Sequence, residues 1–167
     1  WGYAAEDLNY MAPAELIRQI CDCRRCGSNM LLNVGPMADG YLRLIDAAYL
    51  DVIGQWVKMH DEAIRAPRPT DVEIEGKPSD FLLRDGNTYY LFCNGLPMMA
   101  DENVQLAEGG DFTSTFALDQ KILSATWLDN GTEVKFEQKD GKTNLLTVPF
   151  TYGRHLVVRV AKLVCEA

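Results

Sequence analysis

The side chains with the most obvious chemistry in this 167-residue sequence are its five thiols, its two histidines and a few acids beside apolar runs. Cys21-Asp22-Cys23-Arg24-Arg25-Cys26 is the densest group, and thiolates are zinc ligands. Its spacing is not that of a zinc knuckle, and no second Cys or His pair follows at a usual distance. The group also falls on a helical pattern, so it reads as partly buried helical cysteines with no metal. His60 and His155 have no catalytic companion nearby in sequence and read as surface or interdomain residues. Asn33 closes an apolar run and is placed to hold the loop that follows, in which Asp39 is the first acid; Glu6 and Asp7 lie just past the aromatic opening Trp1-Gly2-Tyr3. None of these acids is spaced as a catalytic pair. Trp56 and Trp127 sit within apolar patterns and read as core, and the acidic run Asp129 to Glu133 reads as a solvated turn.

The elements that must position these residues change character along the chain. Asn29-Met30-Leu31-Leu32-Asn33-Val34-Gly35-Pro36 is too short for a helix and is stopped by Gly-Pro, which predicts a strand buried on both faces, as in a parallel sheet. A helix is predicted before it, from Pro13 to Gly27, with Leu16, Ile17, Ile20 and Cys23 on one face. A second follows it, carrying the stripe Leu42, Ile45, Ala48, Tyr49, Val52, Ile53 and Trp56, which is expected to pack on a sheet. Pro67-Arg68-Pro69 forbids further helix and is the expected boundary between residues 1–67 and 68–167.

Beyond it the period changes to alternation. Asp85-Gly86, Asp129-Asn130-Gly131 and Asp140-Gly141 are hairpin signals. Strands are expected at Phe81 to Leu83, Thr88 to Phe92, Phe112 to Leu118, Ile122 to Leu128, Thr132 to Glu137, Asn144 to Val148 and Leu156 to Val164. That pattern predicts an antiparallel β-sandwich. A lone parallel strand needs neighbours joined by helical crossovers, and the sequence offers none. It also begins at Trp1 with no initiator methionine or leader, so it reads as the back portion of a larger protein.

Composition excludes some classes. A formal charge of -8, with sixteen scattered Lys and Arg, argues against nucleic acid as a partner. No apolar run approaches the roughly 20 residues that a membrane-spanning helix needs. The odd, irregularly spaced cysteines favour free thiols in a reducing compartment, such as a bacterial cytoplasm, with secretion or a periplasmic location as the other expectation.

With these residues laid out, the first 65 or so resemble the end of the catalytic barrel of α-L-fucosidases, the retaining glycoside hydrolases of family 29. The resemblance runs through Trp1-Gly2-Tyr3, the first helix, Asn29 to Pro36, Asp39-Gly40, Ile53-Gly54-Gln55-Trp56 and Glu62-Ala63-Ile64. It departs at Gly27-Ser28, where a shifted helix exit is expected, and at His60-Asp61 and Arg65. The resemblance implies that the strand is the last of a (β/α)8-type barrel, followed by a C-terminal β-sandwich. It implies hydrolysis of terminal α-linked fucose from glycans, with no cofactor. It also implies that the nucleophile aspartate and acid/base glutamate lie on segments before Trp1, so that this chain alone is inactive.

Retention requires two carboxyl groups about 5 to 5.5 Å apart, and nothing in the chain looks like that pair. What the resemblance leaves to these residues is a wall of the sugar pocket. An aromatic face buries the apolar C5 methyl and ring edge of fucose, which makes Trp1 the first candidate for substrate binding and Tyr3 the second. Two other readings stay open. The sandwich could be a carbohydrate- or protein-binding module without catalysis, or the chain could be one product of a split enzyme held by its other half. In either fucosidase reading the missing front portion of the barrel is a partner. Met30, Leu31, Leu32 and Val34 would each gain about 1.5 to 3 kcal/mol by full burial, so residues 1–67 are expected to be ordered only beside that portion.

Overall fold

The computed structural model describes residues 3–101, 104–105, 112–148, 150–151, 153 and 155–167. Helix α1 spans Pro13–Arg25, and its ends follow from local chemistry. Pro13 stands in the first turn, where a missing N–H costs nothing, Glu15 faces the positive end, and Arg24 and Arg25 face the negative end. Gly27, at φ 68°, ends the helix. There the Gly27 N–H donates to Arg24 O at 3.0 Å and the Ser28 N–H to Cys23 O at 2.8 Å, the paired bonds of a Schellman exit. The chain then runs through Asn29 to Pro36 to helix α2 (Leu44–Met59) and the short helix α3 (Asp61–Arg65).

The remainder is antiparallel β-structure, as the alternation predicts. Strands β1 (Arg68–Pro69), β2 (Phe81–Asp85), β3 (Thr88–Asn94), β11 (Val158–Cys165) and β7 (Ile122–Trp127) form one sheet in the order β1-β2-β3-β11-β7. Strands β6 (Thr113–Ala117), β9 (Lys142–Leu146) and β8 (Phe136–Lys139) form a second, in the order β6-β9-β8. A small third sheet joins β10 (Phe150–Thr151), β4 (Met98–Asp101) and β5 (Val104–Gln105), with β10 parallel to β4.

The period of two sorts the five-stranded sheet between two cores. Leu82, Leu91, Cys93, Ala161 and Leu163 face the second sheet, where they meet Phe116 and Leu145. Their alternates Phe81, Leu83, Tyr90, Phe92, Val158 and Val160 face the helices, where they meet Leu16, Ile17, Cys21, Ile53, Trp56 and Ala63. This sheet is therefore covered on both sides, and that is why β3 and β11 are nearly continuous apolar runs. Polar bonds stitch the seam. The Trp56 indole donates to Val158 O at 2.9 Å, and Glu62 accepts from the Tyr90 hydroxyl at 3.0 Å and from the Lys162 ammonium at 2.6 Å. Arg24 donates to Pro67 O at 2.8 Å.

Two expectations need correction. Asn29 to Val34 joins no ladder, and Leu31 is 85% exposed. A parallel strand satisfies its backbone only through neighbours, and among the described residues no strand pairs with it. Thr132 to Glu137 is not one strand either. Asn130 Oδ1 accepts from the Thr132 N–H and hydroxyl, and the returning chain makes only the bridge Thr126↔Glu133 before crossing to the second sheet as β8. Asp85-Gly86 and Asp140-Gly141, by contrast, sit at genuine hairpins. Asp140 at φ 52° and Gly141 at φ 75° supply the two left-handed residues that a tight turn of the right twist demands.

Candidate site at the aromatic lip

The segment before α1 folds back onto the start of α2, and this contact builds a polar-aromatic surface near the expected pocket wall. The residue that joins the two is Arg43, which precedes α2 with an extended backbone. Its Nε donates to Asp46 Oδ2 at 3.0 Å, and its Nη1 reaches Asp7 O at 3.5 Å. Its guanidinium carbon lies 5.0 Å from the Tyr3 ring centroid and 4.9 Å from that of Tyr10. Tyr10 in turn meets the Tyr49 ring edge to face at 5.9 Å. Below the lip a cavity of about 330 Å³ is lined by Tyr10, Asn33, Arg43, Asp46 and Tyr49 among others.

The expected site residues fall out as follows. Tyr3 is described, 40% exposed, with its ring against Arg43. Trp1 lies outside the described residues. Asn33 borders the cavity beneath the lip. Asp39 is spent on its own loop, since its carboxylate accepts the Tyr41 N–H at 3.0 Å beside the Met37 to Gly40 turn. The acids nearest the lip are also engaged: Asp46 by Arg43, and Asp7 by the Asn9 N–H at 3.0 Å. Arg43 and Tyr10 were not singled out in the sequence. The available signal was Arg43 with Asp46 three places on, at the mouth of a helix.

Elsewhere, polar groups that looked promising are structural. His60 is fully buried where α2 ends, which corrects a surface placement and fits one between helices and sheet. Its Nδ1 donates to Trp56 O at 2.9 Å, its Nε2 has no partner, and burial lowers its pKa. His155 is exposed, its ring edge on to Phe150 at 5.1 Å. Asp129 is not a solvated turn residue. It holds the buried Arg159 through bonds of 2.8 and 3.2 Å, and the guanidinium lies 4.0 Å from the Trp127 ring centroid.

A cleft of about 640 Å³ opens between Arg25 and the segment from Thr70 to Leu82. It contains the buried Asp80, whose carboxyl is pushed up to about 6 by burial against the partial relief of the Asn94 N–H at 2.7 Å and the Lys77 charge. Lys77 itself donates to Ser114 Oγ at 3.2 Å. The cysteines do not converge: Cys21, Cys93 and Cys165 are buried, Cys26 is exposed, and all five are free thiols. Among the described residues no three His, Cys, Asp or Glu side chains gather as a metal site, and no helix is long and apolar enough to cross a membrane.

Residues 1–62 match the family model described as alpha-L-fucosidase. These residues are similar in sequence to α-L-fucosidases. Plasma α-L-fucosidase of Rattus norvegicus is 39% identical over 66 residues, which are 38% of this chain and 14% of that protein. Tissue α-L-fucosidase of Homo sapiens is 34% identical over 79 residues, 45% of this chain and 16% of that protein. The structural likeness extends further. α-L-Fucosidase isoenzyme 1 from Paenibacillus thiaminolyticus superposes on 100% of this chain with a TM-score of 0.73 at 22% identity. A GH29 α-L-fucosidase from Bacteroides thetaiotaomicron, trapped as a covalent intermediate, does so with a TM-score of 0.73 at 24% identity. The chain spans 38% and 36% of those two fucosidases, so its fold, helices and sandwich together, is that of one part of them.

Proposed function

We propose that this chain is the part of a retaining exo-α-L-fucosidase that closes the catalytic barrel and carries the C-terminal sandwich, with residues 1–67 belonging to the barrel and 68–167 to the sandwich. The substrate is a glycan ending in α-linked fucose. The observation that carries the reading is the run from Asn29 to Val34, which joins no ladder among the described residues, on a segment that matches the α-L-fucosidase family model. Its bare ladder edges and the 85% exposed Leu31 suit a strand awaiting neighbours on both sides. The front portion of the barrel is the partner that supplies them.

Within that enzyme the chain contributes a pocket wall, with Tyr3 and Trp1 facing the sugar, and the two reacting carboxylates come from the front portion. The engagement of Asp7, Asp39 and Asp46 in local bonds supports this division. Retention is supported by the Bacteroides relative, since a covalent glycosyl-enzyme intermediate belongs to the retaining route.

The test is an assay on 4-nitrophenyl α-L-fucoside with the chain alone and with the chain joined to a barrel front portion. Activity is expected only in the joined protein, with α-fucose as the first anomer seen by proton NMR. Hydrolysis by the chain alone, or β-fucose as the first product, sinks the proposal. Glycan binding by residues 68–167 in the absence of any fucosidase activity would instead favour a binding module.

A further inference from the structure

Tyr3 poses a mechanical problem. At 40% exposed, its ring is not aimed by burial, yet a wall that packs against one face of a sugar must hold its plane. The structure supplies a holder from a different element. Arg43 places its guanidinium within 5.0 Å of both the Tyr3 and the Tyr10 ring centroids, the range in which a cation is attracted by a ring face. The guanidinium is itself tethered, by Asp46 Oδ2 at 3.0 Å, with side-chain exposures of 23% for Arg43 and 11% for Asp46. Asp46 sits in the first turn of α2, where a carboxylate is favoured by the helix dipole. Tyr10 is braced in turn by Tyr49, one helical turn further along. The result is a continuous path of contacts from α2, through Asp46 and Arg43, to the Tyr3 ring.

We propose that Arg43 is a positioning residue that fixes the plane of the Tyr3 ring and thereby the contact with the apolar C5 methyl of the sugar. This rests on the reading of Tyr3 as a pocket wall. Arg43 suits the task because its planar fork can bond Asp46 at an edge while its faces meet two rings. A lysine keeps the charge and loses the fork. The consequence is selectivity: loosening the ring penalises a fucoside that carries the methyl and leaves an analogue without it nearly unaffected.

The experiment uses the complete enzyme with Arg43→Leu, Arg43→Lys and Tyr3→Ala, an aryl α-L-fucoside, its analogue lacking the C5 methyl, and fluorotyrosine NMR of the Tyr3 and Tyr10 rings. Arg43→Leu should shift both ring signals and raise KM for the fucoside about 5- to 10-fold, in line with the loss of one well-placed ring contact. It should change kcat and the analogue's KM less than about 2-fold, and Arg43→Lys should fall between. If the Tyr3 signal stays put in both Arg43 variants, the grip does not exist and the inference fails, whatever the enzyme does. If Tyr3→Ala raises the fucoside KM and Arg43→Leu does not, the inference alone fails. If the ring signals shift and Tyr3→Ala leaves the fucoside KM unchanged, the pocket-wall reading falls and takes the role of Arg43 with it. Should Arg43→Leu not fold, the Arg43→Lys shift and KM decide by the same criteria.

Discussion

The stretch before Pro67 and the stretch after it spend their apolar residues differently. In the first, Leu8, Leu31, Tyr41, Leu44 and Val52 stand open to solvent, with Leu44 at 91% exposed, and only the faces of α1 and α2 that meet the sheet are closed. In the second, Leu82, Leu91, Phe92, Phe116, Leu145 and Leu163 are buried, and the two faces of one sheet are filled independently. Soluble surfaces rarely keep so many large apolar groups together unless something covers them. The difference teaches that, among the described residues, the open apolar surface gathers on the helical stretch, while the stretch after Pro67 leaves Leu123, Leu146 and Val148 exposed and packs its other large apolar groups into the two cores.

The contrast can be broken most sharply in the seam. Phe92 is fully buried and stacked on Phe81 at 4.6 Å, so Phe92→Ala should lower the unfolding free energy by about 3 to 5 kcal/mol in urea titration. A loss under about 1 kcal/mol would mean that the helices do not cover this face in solution.

Asp80 tests the sandwich side from the opposite sign. Its folded pKa of about 6 lies above the ordinary 3.8, so between those values the folded state holds the extra proton, and stability falls as pH rises toward 6. Asp80→Asn keeps an acceptor for the Asn94 N–H without the buried charge. It should raise stability at pH 7 by about 1 to 3 kcal/mol and remove this slope, as read from urea midpoints across pH.

His60 tests the seam by a smaller effect. Burial lowers its pKa below 6.5, and the charged groups facing it are Asp129 and Arg159. Below pH 6.5 the unfolded chain takes up a proton that the folded chain refuses, so stability should fall as pH falls from there. In His60→Gln that acid-side slope should vanish, and persistence of the full slope would mean that another group carries it.

The smallest effect belongs to the open side. Leu31→Ala should change the stability of the chain alone by less than about 0.5 kcal/mol, because its side chain is already in water. The same change should weaken joining to a barrel front portion several-fold in a pull-down titration. Equal insensitivity in both measurements would remove the reason to regard that strand as unfinished.

Signals carried by neighbours in sequence were legible. Pro13 and Gly27 bracket α1, and the Asp85-Gly86 and Asp140-Gly141 turns place four strands, because turn and cap geometry is decided within a few residues. The Asp129-Asn130-Gly131 turn misled because the same local signal can begin a ladder or end after one bridge. The choice was made by Val134, which is buried in the core between the sheets. His60 was hard to place because a residue just past a helix turns inward or outward according to what the helix packs on. Arg43 could not be read as a holder of Tyr3, since forty residues of chain must first fold back to bring them together.

By itself, then, the amino-acid order determined the helix and hairpin limits, the alternating apolar faces and the fucosidase-like motif from Asn29 to Pro36. Those depend on sterics, periodicity and residue types that act locally. Only the tertiary structure decided that one sheet is buried on both faces, that Asp129 serves Arg159, and that Arg43 spans two rings. Each of these is a contact between groups far apart in the chain, and its energy exists only once folding has paid the entropy of bringing them together.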